Sequence, residues 1–233
     1  VEYTGVAFEQ DAEQAMAGDI IRALVELITN ADDAYGARPG EITIDVVRTD
    51  NEPTQVIVRD VATGLTADEL VKCFGVVGGQ TSGFAEGARV RGLLGRGAKD
   101  TAAFGRAVFE TIKEGIYARF ELNSRGKCTP REQVVGIPAT TDHYERLEIP
   151  VGSNGLVVTM HVEKMGITIP GTPKLTEKLR DRVHLRQITA DRTVVLRPFQ
   201  NGAPQPTIRI QWPEPPQELL NDLEVPIDGY PEA

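Results

Sequence analysis

The stretch Glu26-Leu27-Ile28-Thr29-Asn30-Ala31-Asp32-Asp33-Ala34 decides how the rest of the chain is read. On a helix turning about 100° per residue, Glu26, Asn30 and Asp33 fall within about 60° of one another, while Asp32 points well away. The other side of the same segment is apolar, with Ile20, Ile21, Leu24, Leu27 and Ile28. An amide between two carboxylates, on one stripe beside a core-facing surface, suits a hydrated divalent cation and a polarised water.

The remainder of the chain sets the frame for that helix. With 233 residues, 40% hydrophobic and 25% charged, it is long enough for one domain with a full core, or one domain and part of another. A net charge of −9 disfavours a broad nucleic-acid face, so nucleic acid is expected only through other domains. The two cysteines, Cys73 and Cys128, stand far apart without Cys or His neighbours. That spacing excludes a disulfide framework and a zinc set, and points to a reducing, cytoplasmic setting. No apolar run approaches the ~20 residues of a membrane span, so no membrane partner is expected. A start at Val1 and an end at Ala233 read as a piece of a longer polypeptide.

The pattern predicts one long helix over 11–35, stopped by Gly36 and Pro39. Alternating residues predict strands over 41–48 and 55–59. Thr66 followed by Glu69 has the capping-box spacing for a helix starting near 66. A glycine-rich stretch over 75–97 precedes a short helix over 98–104. Strands follow over 107–113, 116–122, 144–149 and 156–162, then a helix over 175–185 and strands over 193–196 and 207–211. Helices first and an antiparallel set later predict an α+β fold, a two-layer sandwich whose mixed, mainly antiparallel sheet is covered on one face by helices. Prolines multiply after residue 198, so 1–200 reads as one domain and 201–233 as a linker or the start of another.

Three further segments have their own chemistry. In Val58-Arg59-Asp60-Val61-Ala62-Thr63-Gly64 a strand ends at an Asp and a tight turn at Gly64 follows. An ionised Asp there accepts hydrogen bonds only, either capping its own turn or taking one from an exocyclic amine such as that of adenine. Gly92, Gly95 and Gly97 stand immediately before a predicted helix, where bare backbone N–H groups can approach phosphate oxygens; Lys99 is within reach of a terminal phosphate. The same spacing suits a plain flexible loop. It is neither a Walker A sequence nor a dinucleotide-binding turn. The run 75–83 reads as a hinged cover or as a simple connection, with Thr81 and Ser82 as candidate phosphate contacts.

Taken in order, the ExxxNxxDA helix, the strand-end Asp with its glycine turn, the glycine-rich cover and the GxxGxG before a helix resemble the GHKL ATPases. This superfamily includes DNA gyrase, the heat-shock chaperone ATPase, histidine kinases and MutL, with the MORC proteins as a branch. The resemblance implies a Bergerat α/β sandwich that binds ATP with Mg2+. It implies Glu26 as the base that activates water, Asn30 as the magnesium ligand and Asp33 as support beside the nucleotide. Asp60 would read adenine, and Gly92, Gly95 and Gly97 would cradle phosphates. It also implies closure over ATP and an ATP-dependent homodimer. Two positions depart from the pattern: Ala62 replaces the first glycine of Asp-x-Gly-x-Gly, and Leu156 follows Gly155 where a threonine often binds adenine. Thr159 is the candidate substitute for that hydroxyl. Glu26 favours hydrolysis over histidine-kinase phosphotransfer, and the two departures leave a nucleotide sensor without turnover as another reading.

Overall fold

The computed structural model describes residues 5–74, 96–128 and 134–213. Helices α1 (Gly5–Met16) and α2 (Ile20–Tyr35) occupy the region whose pattern reads as one helix. The break has a local cause. Ala17 and Gly18 take positive φ (49° and 66°), and the Asp19 carboxylate then caps α2 by accepting the Ile21 N–H at 3.0 Å.

After α2 come β1 (Glu41–Arg48), β2 (Thr54–Asp60), α3 (Ala67–Phe74) and α4 (Arg96–Asp100), which runs on as a 3-10 turn over Thr101–Phe104. The second half holds β3 (Gly105–Lys113), β4 (Ile116–Asn123), β5 (Val134–Pro138), α5 (Thr141–Leu147), β6 (Gly155–Val162), α6 (Thr172–Arg180), α7 (Arg186–Asp191), β7 (Thr193–Gln200), β8 (Ala203–Pro204) and β9 (Ile208–Ile210). The strand predicted over 144–149 is in fact α5. Thr140 caps it, accepting the His143 N–H while the His143 ring accepts from the Thr140 N–H, and this local pairing overrides the apolar alternation.

The strands form one sheet in the order β5-β4-β3-β6-β2-β1-β7-β8, with β9 also on β7. β1 and β7 run parallel and the other pairings are antiparallel. Because β8 and β9 pair with β7, the sheet runs past the boundary expected at residue 200.

Residues directly opposite one another share a face, so the register defines the layers. Leu196, Ile44, Val58, Val158, Phe109 and Phe120 form one continuous row across six strands, and every one is buried. Against this inner face pack Ile20, Ile21, Leu24, Leu27, Ile28 and Ala31 of α2, with residues of α1, α3, α4 and α6. Each large side chain buried this way stabilises the fold by about 1.5–3 kcal/mol. The predicted sandwich is therefore the observed one.

The outer face has one addition. Tyr144 and Leu147 of α5 cover Ile112, Tyr117 and Val157, and several other positions of this face carry paired charges. Asp45 pairs with Arg59 (3.3 Å) and Arg197 (2.6 Å), and Glu121 with Arg119 (2.8 Å) and Arg106 (3.4 Å). These pairs border a basin of about 460 Å³.

Gly64 fixes the turn after β2. Its φ is +60°, and an added Cβ would lie 2.6 Å from the Ile112 carbonyl oxygen and 3.2 Å from the Gly155 nitrogen. Left-handed backbone and a rigid contact act together there, so Gly64→Ala should destabilise the domain by about 2 kcal/mol or more. Urea denaturation checks this, and a midpoint equal to wild type would show that the turn relaxes without cost.

Candidate functional site

The buried side of α2 determines where its polar stripe goes. With Leu24, Leu27 and Ile28 pressed into the core, Glu26 is exposed, and Asn30 and Asp33 are half-buried along the helix. Asp32 leaves the stripe, as its angle requires, and its carboxylate takes the Nε–H of Arg192.

Glu26 meets the start of α4. A Cβ placed on Gly97 would sit 2.8 Å from the Glu26 carboxyl carbon, so the glycine is what lets the carboxylate lie against that backbone. Of the predicted phosphate glycines, Gly97 is the one within the described residues, and it stands beside the predicted base. Gly92, Gly95, Thr81 and Ser82 lie outside the described residues, as does most of the stretch 75–97.

One turn along α2, the Asn30 Nδ2 is buried without a hydrogen-bond partner among the described residues. A buried amide donor is costly unless something satisfies it, at about 1–3 kcal/mol, so this atom marks a place for a polar group. Farther on, the Thr63 hydroxyl reaches the Ala34 carbonyl at 3.4 Å, bringing the turn after β2 against the end of the helix beside Asp33.

Asp60 ends β2 on the inner face. It is opposite Leu156, which is opposite Thr111, so these three residues make the next inner row beyond Val58 and Val158. Only 4% exposed, Asp60 accepts the Ala62 N–H on Oδ1 at 3.0 Å, and the Leu156 N–H also donates to its carboxylate. Burial pushes its pKa from an ordinary 3.8 up to about 7, against the pull of those N–H groups and of the Arg38 charge. The Asp therefore does cap its own turn, as an isolated Asp would, and it is also a buried acceptor close to the helix stripe.

The two departures from the family pattern have clear structural outcomes. Ala62 is buried in the core and is absent from the described residues with left-handed backbone, so the turn needs no glycine there. Its backbone N–H supplies the bond to Asp60, which any residue type except proline can do. Gly155 is required: a Cβ on it would lie 2.5 Å from the Asp60 carbonyl oxygen. Leu156 contributes its N–H to Asp60 and its side chain to the core.

Thr159 does not join the site. It lies opposite Ile57 and Val108 in an outer row and lines the basin on the far side of the sheet. The hydroxyl in the inner row with Asp60 is that of Thr111, fully buried, which accepts the Leu65 N–H at 2.8 Å and donates to the Gly155 carbonyl at 3.0 Å. Thr111 thus anchors the turn from the opposite end. Lys99 is also turned from the stripe. Two positions beyond Gly97 on a helix is a rotation of about 200°, and Lys99 is buried near Cys73 of α3, where burial lowers the amine's pKa while Cys73 and Asp100 oppose that shift.

Two residues not singled out from sequence tie the site together. The Tyr35 hydroxyl accepts the Val61 N–H and donates to the Glu41 carbonyl, both at 2.8 Å. Burial and the nearby Asp60 charge raise its pKa, so it remains a hydroxyl able to do both. Arg192 covers the ring of Tyr35.

No family model and no curated protein matches the sequence. Among solved structures the chain is similar to the 43K ATPase domain of Thermus thermophilus gyrase B, in complex with an aminocoumarin, with a TM-score of 0.52 and 19% sequence identity. The match covers 81% of this chain and 45% of that chain, so this chain spans less than half of that one's length. What the two share is the fold, a mixed sheet covered on one face by helices.

The raised pKa of Asp60 has a definite sign for stability. The folded state keeps the proton up to about pH 7, whereas the unfolded chain releases it near 3.8. Its contribution is complete below about pH 4 and is lost as pH rises through about 7. Urea-denaturation midpoints measured from about pH 5 to about pH 8 should contain a falling component that Asp60→Asn removes. An identical pH slope in the variant would contradict the assignment.

Proposed function

We propose that this chain is the ATP-binding domain of an ATPase, with Asp60 reading the base, Asn30 near the phosphates and Glu26 activating water. The observation that supports it most is the wall formed by Glu26 against Gly97, the Asn30 amide without a partner among the described residues and the buried Asp60 acceptor, all on the helix side of one sheet. The fold it shares with the gyrase B ATPase domain agrees with that assignment.

Magnesium would be held through a single protein oxygen. Among the described residues no group of three or more His, Cys, Asp or Glu is placed to hold a metal. The protein would supply the neutral Asn30 Oδ1, and phosphate oxygens and water the remaining ligands, which is the usual manner of binding this ion. When bound, it neutralises charge on the transferring phosphoryl group.

The residues of the chain divide the remaining work. Asp60, when ionised, is an acceptor only and matches a 6-amino group on a purine. Glu26, exposed and steered by the Gly97 backbone, takes or orients a proton of the attacking water. Asp33 supports the helix end beside the nucleotide. The expected cover over 75–97, its Thr81, Ser82, Gly92 and Gly95, and the ATP-dependent pairing of two copies are proposed from the sequence resemblance. The cytoplasmic setting is proposed from the two widely spaced cysteines.

Replacement variants separate these roles. Glu26→Gln should bind ATP within about threefold of wild type while phosphate release falls by about 10² or more. Asp60→Asn should weaken ATP binding itself by about tenfold or more. Calorimetric titration and a phosphate-release assay check both, and unimpaired turnover in Glu26→Gln would remove the base assignment. Binding without turnover in the wild-type chain would instead support a nucleotide sensor. Gly97→Ala tests the placement: its Cβ displaces the flexible Glu26 carboxylate, so turnover should drop about tenfold with the folding midpoint nearly unchanged.

A further inference from the structure

We infer that Tyr35, held by Arg192, is a positioning residue for the turn after β2, and that its hydroxyl keeps the Asp60 carboxylate available to a purine 6-amino group. This deepens the nucleotide reading above and rests on it.

Tyr35 is the last residue of α2 and only 5% exposed. Its oxygen joins three elements at once: the end of α2, Glu41 at the start of β1, and Val61, the residue immediately after Asp60. The place of the ring is built from both sides. The Arg192 guanidinium carbon stands 5.0 Å from the ring centroid, and a Cβ on Gly40 would overlap the ring, so glycine leaves the room it needs. Arg192 is itself 8% exposed and directs its N–H groups to the Asp32 carboxylate and to the carbonyls of Asp32, Gly36 and Arg38. Those carbonyls lie at and beyond the C-terminal end of α2, where the helical ladder runs out. Arg192 therefore fixes the helix end and the tyrosine together.

The consequence concerns hydrogen-bond supply at Asp60. Its carboxylate offers about four acceptor positions, and the N–H groups of Ala62 and Leu156 already use two. The Val61 N–H lies between Asp60 and Ala62 in sequence and is satisfied by Tyr35. Without the phenolic oxygen that N–H needs another acceptor, and the adjacent carboxylate is the one in its own turn. A third backbone donor there competes with an exocyclic amine arriving from a ligand. A purine with a 6-oxo group has no donor on that exocyclic position, so a third backbone donor has no 6-amino contact there to displace.

Binding of ATP and of its inosine counterpart, measured by titration calorimetry on wild type and Tyr35→Phe, tests this. The variant should lose about tenfold in ATP affinity and change by less than about twofold toward the inosine nucleotide. Amide exchange at Val61 should speed up in the same variant. Equal weakening of both nucleotides, or an unchanged preference, would show that Tyr35 is merely structural and overturn its positioning role while leaving the nucleotide reading intact. Failure of the wild-type chain to bind either nucleotide would overturn both. If Tyr35→Phe does not fold, Arg192→Lys gives the same readout, since it loses the planar fork over the ring. An unchanged adenine preference in that variant would again reject the proposal.

Discussion

The burial of one side of α2 against the inner row of the sheet is the constraint on which the candidate site depends. Ile20, Ile21, Leu24, Leu27 and Ile28 cannot leave the core without a loss of several kcal/mol, so the rotation of the helix about its axis is set. Glu26, Asn30 and Asp33 then have no choice of direction. The stripe is polar in a half-buried place because the opposite side is apolar in a fully buried one.

The turn after β2 depends on a second set of contacts that tolerate little change. Gly64 adopts a left-handed backbone against the Ile112 carbonyl, Gly155 passes close to the Asp60 carbonyl, and Thr111 fastens Leu65 to Gly155. Tyr35 holds Val61 from the helix side. Asp60 is thereby kept in a buried position that raises its pKa, next to a residue bonded to the end of α2. The same packing explains why Ala62 is accepted: the position needs an N–H and a small buried side chain, and alanine has both.

The two faces of the sheet differ in kind. Apart from Asp60 and Thr111 in its end row, the inner face is mainly apolar and meets the helices, whereas the outer face combines the small α5 cluster with paired charges around Asp45 and Glu121. Such pairs contribute little net stability because each ion loses hydration on being covered. They allow a sheet face to be crowded with long side chains without exposing a wide apolar surface. Thr159 belongs to that side.

Local rules made part of this legible. Helical periodicity alone puts Glu26, Asn30 and Asp33 together and sends Asp32 elsewhere, because angles along one helix need no partner. A strand ending in Asp before Gly64 is readable for the same reason. Strand alternation also separates residues 156 and 159 onto opposite faces, so the exclusion of Thr159 was available from the chain. By contrast, Thr111 joins the row of Asp60 only through the pairing of β3 with β6, and Gly97 meets Glu26 only through packing of α4 on α2. The Tyr35–Arg192 contact unites the end of an early helix with the residue between α7 and β7, and nothing local announces it. α5 stayed hidden because a two-residue cap, Thr140 with His143, outweighs the alternation of the residues after it. Patterns within one element follow from backbone geometry, whereas contacts between elements follow from how all of them share one core.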